Sequence, residues 1–273
     1  MNDMLATYNG TIFYPLNPDS YDVNLEAIAY SLSTNSRFCG HTYPFWSIAQ
    51  HSLLVAEYIE RELSDKIKNA GYNVMEVTLM GLLHDASEAY LSNICRPIKK
   101  HISGYLEHED FVEGKVLKAF GVKTSYSEVY EKFIKEADDA ILYTEATVLM
   151  NPSDKWLEEC SDCFNNPMID RYKNKVVQQN MQIVEAMFID KVKGLCGLLG
   201  IHNTPVDNLP ESKDILNMIP IYRLGNVRYY IEISAGNSKI YDSLKGTVKT
   251  YSNKFLNNCM DIFEALDSLG GVT

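Results

Sequence analysis

The stretch from Leu79 to Tyr90, Leu-Met-Gly-Leu-Leu-His-Asp-Ala-Ser-Glu-Ala-Tyr, constrains this chain more than any other. An apolar helical run ends on two strong metal-binding side chains, His84 and Asp85, and Glu88 follows one turn later. Residues four apart share a helix face, so His84 and Glu88 would point the same way, with Asp85 beside His84. Burying ionisable groups in such a run costs several kcal/mol unless a charge or hydrogen bond compensates them. An isolated pair of this kind is ordinarily a hydrogen-bonded core histidine. It acquires another meaning only if distant residues join it.

Candidates for joining it lie on other helical segments. Val23 to Leu32 carries a helix period, and Ser33 to Ser47 is a polar and aromatic loop holding Arg37, Phe38 and His41. Ser47 is suited to cap a helix running to Leu63, with His51 one turn in, on the side of Ile48, Leu54 and Val55. Val74 to Tyr90 reads as the central helix, Arg96-Pro97 breaks the backbone, and Tyr105 to Phe120 is amphipathic. Ser125 to Met150 has no proline or glycine and a helical period throughout. Within it Asp138 has Ile134, Ile141 and Leu142 as one-turn neighbours, so it turns inward, whereas Asp139 sits among Lys135, Glu136, Leu142 and Tyr143 and reads as solvated. Ile169 to Leu199 reads as one long helix.

After a linker from Gly200 to Glu211 the character changes. Ile219 to Leu224 and Val227 to Ser234 are β-prone runs joined by Gly225-Asn226, a hairpin signal, and a helix is expected from about Ser243 to Leu269. The expected fold is therefore mainly α, with a helical bundle over residues 1–199 and a small α+β appendage over residues 200–273.

With 273 residues, 46% of them hydrophobic, the chain can bury a substantial core. A net charge of -11 argues against a nucleic-acid polymer or an anionic membrane as the main partner. A small anion remains compatible where metal and basic side chains reverse the field locally. No segment has the length of a membrane span or the pattern of a leader, so a soluble cytoplasmic protein is expected. The six cysteines are scattered and read as free thiols; Cys160-Ser-Asp-Cys163 is half a zinc pattern without a second half.

In order, then, the chain offers Arg37, His51, the His84-Asp85 doublet with Glu88, and Asp138. Two imidazoles with two carboxylates form a mixed nitrogen and oxygen set suited to Mn, Co, Fe, Ni or Zn with water completing the shell. This ordered set resembles the HD-domain metal-dependent phosphohydrolases, in particular the branch of bacterial 5'-deoxynucleotidases and phage or prophage HD proteins. The resemblance runs through Arg37-Phe-Cys-Gly-His-Thr42, Trp46-Ser-Ile-Ala-Gln-His51, Leu83-His-Asp-Ala-Ser-Glu-Ala-Tyr90, Arg96-Pro-Ile-Lys99 and Lys135-Glu-Ala-Asp138 with Thr144-Glu145.

The resemblance implies an HD-domain helical bundle in which His51, His84, Asp85 and Asp138 hold a divalent metal. It also implies that Arg37 binds the phosphate and stabilises developing charge, Glu88 handles the proton, Phe38 crowds a ribose 2'-hydroxyl and Lys99 adds positive charge. The implied activity is hydrolysis of deoxynucleoside 5'-monophosphates, with a small nucleotide as partner and a homodimer as one option for assembly. Ser92-Asn93 departs from the family's Gly-Asp, whose aspartate contributes to catalysis. Two alternatives stay open on the same scaffold: a dNTP triphosphohydrolase, and an HD binding or sensing module without turnover.

Overall fold

Short polar side chains set where the helices begin. In this computed structural model, which describes residues 3–19, 22–159, 169–201, 218–224, 227–233, 237–242 and 247–252, Asn24 accepts from the Ala27 N–H and opens α1 (Leu25–Thr34). Ser47, as its sequence position predicts, accepts from the Gln50 N–H and opens α2 (Ile48–Glu62). After α3 (Ser64–Asn69), Asn73 caps α4 (Val74–Leu83) through the Met75 N–H. Each cap satisfies a donor that the first helical turn leaves without an internal partner.

The chain divides into two units, Met1–Val206 and Asp207–Thr273. The first is mainly helical. A two-stranded antiparallel hairpin, β1 (Leu5–Ala6) and β2 (Ile12–Phe13), precedes α1. Beyond α4 come α5 (Glu88–Leu91), α6 (Arg96–Lys99), α7 (Tyr105–Ala119), α8 (Tyr126–Val129), α9 (Lys135–Leu149), α10 (Asp154–Glu159), α11 (Ile169–Lys173) and α12 (Met181–Leu198). Among the described residues no helix is long and apolar enough to cross a membrane.

The hub of this unit is α2, which packs on α1, α4, α9 and α12. Ile48, Val55 and Ile59 on α2 are fully buried, and each such side chain contributes roughly 1.5–3 kcal/mol. That burial offsets the cost of enclosing ionisable groups on the same helices. α4 comes near α2 at Gly81, where an added Cβ would meet Ile59 Cδ1 at 2.2 Å. A side chain there would require the end of Ile59 to move; across the same pair of helices the rings of His51 and His84 stand 5.3 Å apart between centroids.

Three expected helices are interrupted. The segment 74–90 is not one helix: α4 stops at Leu83, residues 84–87 form tight turns, and α5 begins at Glu88. Side chains take the place of two helical hydrogen bonds. The Gly81 carbonyl, which a continuous helix would give to the Asp85 N–H, accepts from His84 Nδ1 at 2.8 Å. The Ser87 N–H, due at Leu83, donates to Glu113 Oε2 at 3.0 Å. His84 and Glu88 are therefore not stacked on one face. The segment 169–199 is divided into α11 and α12, the latter starting on an Asn180 cap that accepts from Gln182 N–H. The segment 125–150 stays helical but contains a π-turn at Tyr130–Ile134.

The second unit contains a four-stranded antiparallel sheet in sequential order, β3 (Met218–Leu224), β4 (Val227–Ile233), β5 (Asn237–Asp242) and β6 (Thr247–Ser252). The expected hairpin is present, with Leu224 paired to Val227. The expected helix is corrected over its first part, because Thr247-Val-Lys-Thr-Tyr-Ser252 pairs with β5 from Asp242↔Thr247 to Asn237↔Ser252. Alternating β-branched and aromatic residues favour a pleated strand there. The rest of that expected helix, and Cys160 and Cys163, lie outside the described residues.

Candidate metal centre

The break after α4 is what aims His84. Its Nδ1 donates to the Gly81 carbonyl at 2.8 Å, which turns Nε2 away from the helix. His51, one turn into α2, is held in the same manner, with Nδ1 at 2.9 Å from Glu145 Oε1. An imidazole anchored through one nitrogen presents the other in a fixed direction, the usual arrangement of a metal-binding histidine. Both Nε2 atoms are buried and without a hydrogen-bond partner. Leaving such an atom unsatisfied costs about 1–3 kcal/mol, a cost that a bound cation removes.

Two carboxylates meet these nitrogens. Asp85 Oδ2 lies 3.4 Å from His84 Nε2 and 3.9 Å from His51 Nε2. Asp138 Oδ1 lies 3.1 Å from His51 Nε2, out of line for a hydrogen bond, and 3.9 Å from His84 Nε2. Ligand atoms about 2.1 Å from a common ion stand about 3.0–3.4 Å apart when adjacent and about 4.2 Å apart when opposite. The observed separations fall in that interval. His51, His84 and Asp85 thus form a group that could hold a metal ion, and Asp138 lies against it.

The surrounding charges keep the acids ionised. Burial works against the Asp85 carboxylate, yet His84, Arg37 and His51 hold it below its ordinary value. Burial likewise opposes Asp138, while His51, His84 and Arg96 hold it well below the carboxylate range. For His51, burial and the Arg37 charge push down, but Glu145 and Asp138 prevail and raise the imidazole to about 9. Any cation taken up at Nε2 must therefore displace a proton at neutral pH.

Glu145 is the hidden support of the site. Fully buried, it accepts from Trp46 Nε1 at 2.7 Å and Arg37 Nη2 at 3.4 Å besides facing His51. Arg37, on the turn Arg37–Gly40, also reaches Asp85 Oδ2 at 3.3 Å. Its Nε is buried without a partner. Phe38 flanks it, with the guanidinium 5.6 Å from the ring centroid, and both Phe38 and Cys39 sit in the left-handed region at φ 52 and 51.

Glu88 is buried, and burial and Asp85 raise its carboxyl to about 8 although Lys99 and Arg37 pull it down. Lys99 Nζ donates to Glu88 Oε1 at 3.1 Å and to Glu109 Oε1 at 2.7 Å, so its charge is shared between two acids. Arg96 donates to Asp138 Oδ2 at 2.7 Å and Asp139 Oδ1 at 3.1 Å. Asp139 is half-buried and paired also to Lys135, rather than solvated.

His51, His84, Asp85, Asp138 and Arg37 are thus brought together, with Phe38, Glu88 and Lys99 around them. Residue-by-residue reading assigned no role to Glu145, Trp46, Arg96, Glu109 or Glu113. Glu145 carried a readable signal, since it stands seven residues and two turns after Asp138 on the same helix face. The other four make their contacts across elements, and no spacing along the chain announces them.

Asn93 is a brace: its Nδ2 donates to the Ser36 carbonyl at 3.1 Å, tying the segment after α5 to the Arg37 turn. Ser92 before it adopts φ 71 and ψ 154, a conformation natural only to glycine. Ser92→Gly is expected to stabilise the protein by about 1 kcal/mol in urea denaturation. An unchanged or lower midpoint would show that the serine side chain compensates the strain.

No protein-family model matches the chain. Over 141 residues, 52% of this chain, it is 29% identical to the uncharacterized protein YfdR of Escherichia coli K12, covering 69% of that protein. Over 135 residues, 48% of this chain, it is 34% identical to an uncharacterized protein of Rhodobacter capsulatus, covering 65% of its length. Neither name states an activity, so what the centre does rests on its chemistry.

Proposed function

We propose that this chain is a metal-dependent phosphohydrolase of the HD type that converts deoxynucleoside 5'-monophosphates to deoxynucleoside and phosphate. The observation that carries the reading is the convergence of two anchored imidazoles, with buried unpartnered Nε2 atoms, on the carboxylates of Asp85 and Asp138. His51, His84, Asp85 and Asp138 would hold the ion. A divalent cation in such a place lowers the pKa of water and polarises a phosphoryl oxygen.

Hydrolysis adds water across the P–O5' bond. The water oxygen bonds to phosphorus, the ester bond breaks, and the nucleoside oxygen leaves with a proton. Glu88, next to Asp85 in the same turn system and raised to about 8, is suited to take the proton from water and return it to the leaving oxygen. Arg37, pinned between Asp85 and Glu145, supports charge building on the phosphoryl oxygens. With Asn93 bonded to a backbone carbonyl, Glu88 is the proton carrier in this reading.

A triphosphate substrate is less well supported. Arg37 is shared by two carboxylates, Lys99 by two more and Arg96 by a further two, which leaves less positive charge for a longer phosphate chain than for a single phosphate. The deciding experiment is phosphate release from a panel of dNMP, rNMP and dNTP with added Mn or Co. Orthophosphate from dNMP is expected. Absence of release from any dNMP by metal-binding protein removes the proposal, and tripolyphosphate from dNTP replaces it.

The pH profile gives a second check. Lys99 lowers the Glu88 pKa, so Lys99→Met raises it and moves the ascending limb of kcat/KM to higher pH. A limb that stays in place would exclude Glu88 as the base.

A further inference from the structure

Arg37 and Arg96 both touch carboxylates of the centre, but they differ in access. The Arg37 side chain is 11% exposed, and the Arg96 side chain is 61% exposed beside an Asp138 side chain that is 5% exposed. Arg96 is therefore the guanidinium standing where the buried cluster meets solvent. It starts α6, the element that also carries Lys99 three residues on. The two cations reach two acids of the site, Arg96 to Asp138 and Lys99 to Glu88.

The bonds Arg96 makes can be given up without stranding an acid. Asp139 keeps Lys135 Nζ at 2.8 Å. Asp138 Oδ1 already faces both imidazoles, at 3.1 and 3.9 Å, so a cation at the centre would compensate its charge. A guanidinium has five N–H donors, and its planar fork matches a phosphate edge.

We infer that Arg96 is a second phosphate-binding residue of this site, exchanging Asp138 and Asp139 for the substrate phosphate when a phosphomonoester binds. The inference rests on the phosphohydrolase reading above. It adds a residue on the solvent side of Asp138 that helps admit a phosphate group.

The test uses the full chain loaded with Mn2+ and inorganic phosphate as the probe, by calorimetry, for wild type, Arg96→Ala and Arg96→Lys. Losing hydrogen bonds to a charged group should weaken phosphate binding roughly 10- to 100-fold in the alanine variant. The lysine variant, which keeps charge without the fork, should fall between. Mn2+ affinity should change by less than about threefold, a shift under 1 kcal/mol, and KM for a dNMP should rise in step with the phosphate Kd while kcat falls less. Equal phosphate binding by wild type and Arg96→Ala overturns the inference and leaves the reading beneath it standing. Loss of Mn2+ affinity in both variants instead makes Arg96 a holder of Asp138 and also overturns it. A wild type that binds no Mn2+ sinks the reading itself.

Discussion

His84→Ala is expected to abolish divalent-ion binding and turnover while leaving the helical unit folded. Of the two imidazoles, His84 is the one whose removal is structurally mild, because its Nδ1 bond goes to a backbone carbonyl at the end of α4. Losing one such bond costs about 1 kcal/mol. His51 is different: it faces Glu145 and Asp138 on either side, and its loss would take one partner from each of two buried acids. Mn2+ at a hundred times its Kd should stabilise the wild type by about 2.7 kcal/mol. In His84→Ala that gain should vanish, with affinity down at least about a hundredfold, or about 2.7 kcal/mol. Thermal melts with and without Mn2+, read beside calorimetry, make the comparison. A variant stabilised by Mn2+ as much as the wild type would mean that the ion, if any, binds elsewhere.

Glu145→Gln should lower stability by roughly 3–5 kcal/mol at pH 7, the usual cost of removing one partner from a buried charge network. The amide can still accept from Trp46, but it no longer offers charge to Arg37 and His51, both of which its carboxylate faces. The pH dependence follows from the direction of the shift. Burial opposes the Glu145 carboxylate, but His51 and Arg37 hold it below its ordinary value of 4.5. Its contribution is therefore complete above pH 4.5 and is lost as pH falls through the lower folded value. The gap between wild type and variant should be widest near neutrality and close on acidification, in urea melts followed by the fluorescence of buried Trp46. A gap under about 1 kcal/mol at pH 7 would reduce the network to a surface-like pair.

Glu113 supplies the contrast on the same experiment. Burial raises its carboxyl well above 4.5 despite the Ser87 N–H it accepts, which favours its uncharged form. A glutamine there copies the neutral acid. Glu113→Gln should be close to neutral, where Glu145→Gln is not, although both glutamates are buried.

The periodic placement of apolar residues and the position of Ser47 were enough to foresee a mainly helical chain, the cap at Ser47 and the inward turn of Asp138. These are local consequences of a 3.6-residue period and of short polar side chains competing for helix-end donors. The order of His51, His84-Asp85 and Asp138 identified the ligand candidates because ionisable groups in apolar runs demand a compensating partner. Periodicity could not end α4 at Leu83, since at that break backbone groups are taken up by the His84 side chain and by Glu113 from another helix. Nor could it assign Glu145 to His51 or Arg96 to Asp138. Those pairings depend on how α2, α4, α6 and α9 pack. The strand at Thr247–Ser252 likewise required its neighbour β5, because a short run takes its conformation from the edge it pairs with. Spacing along one element could nominate the candidate ligands, and only contacts across elements decided how they are aimed and charged.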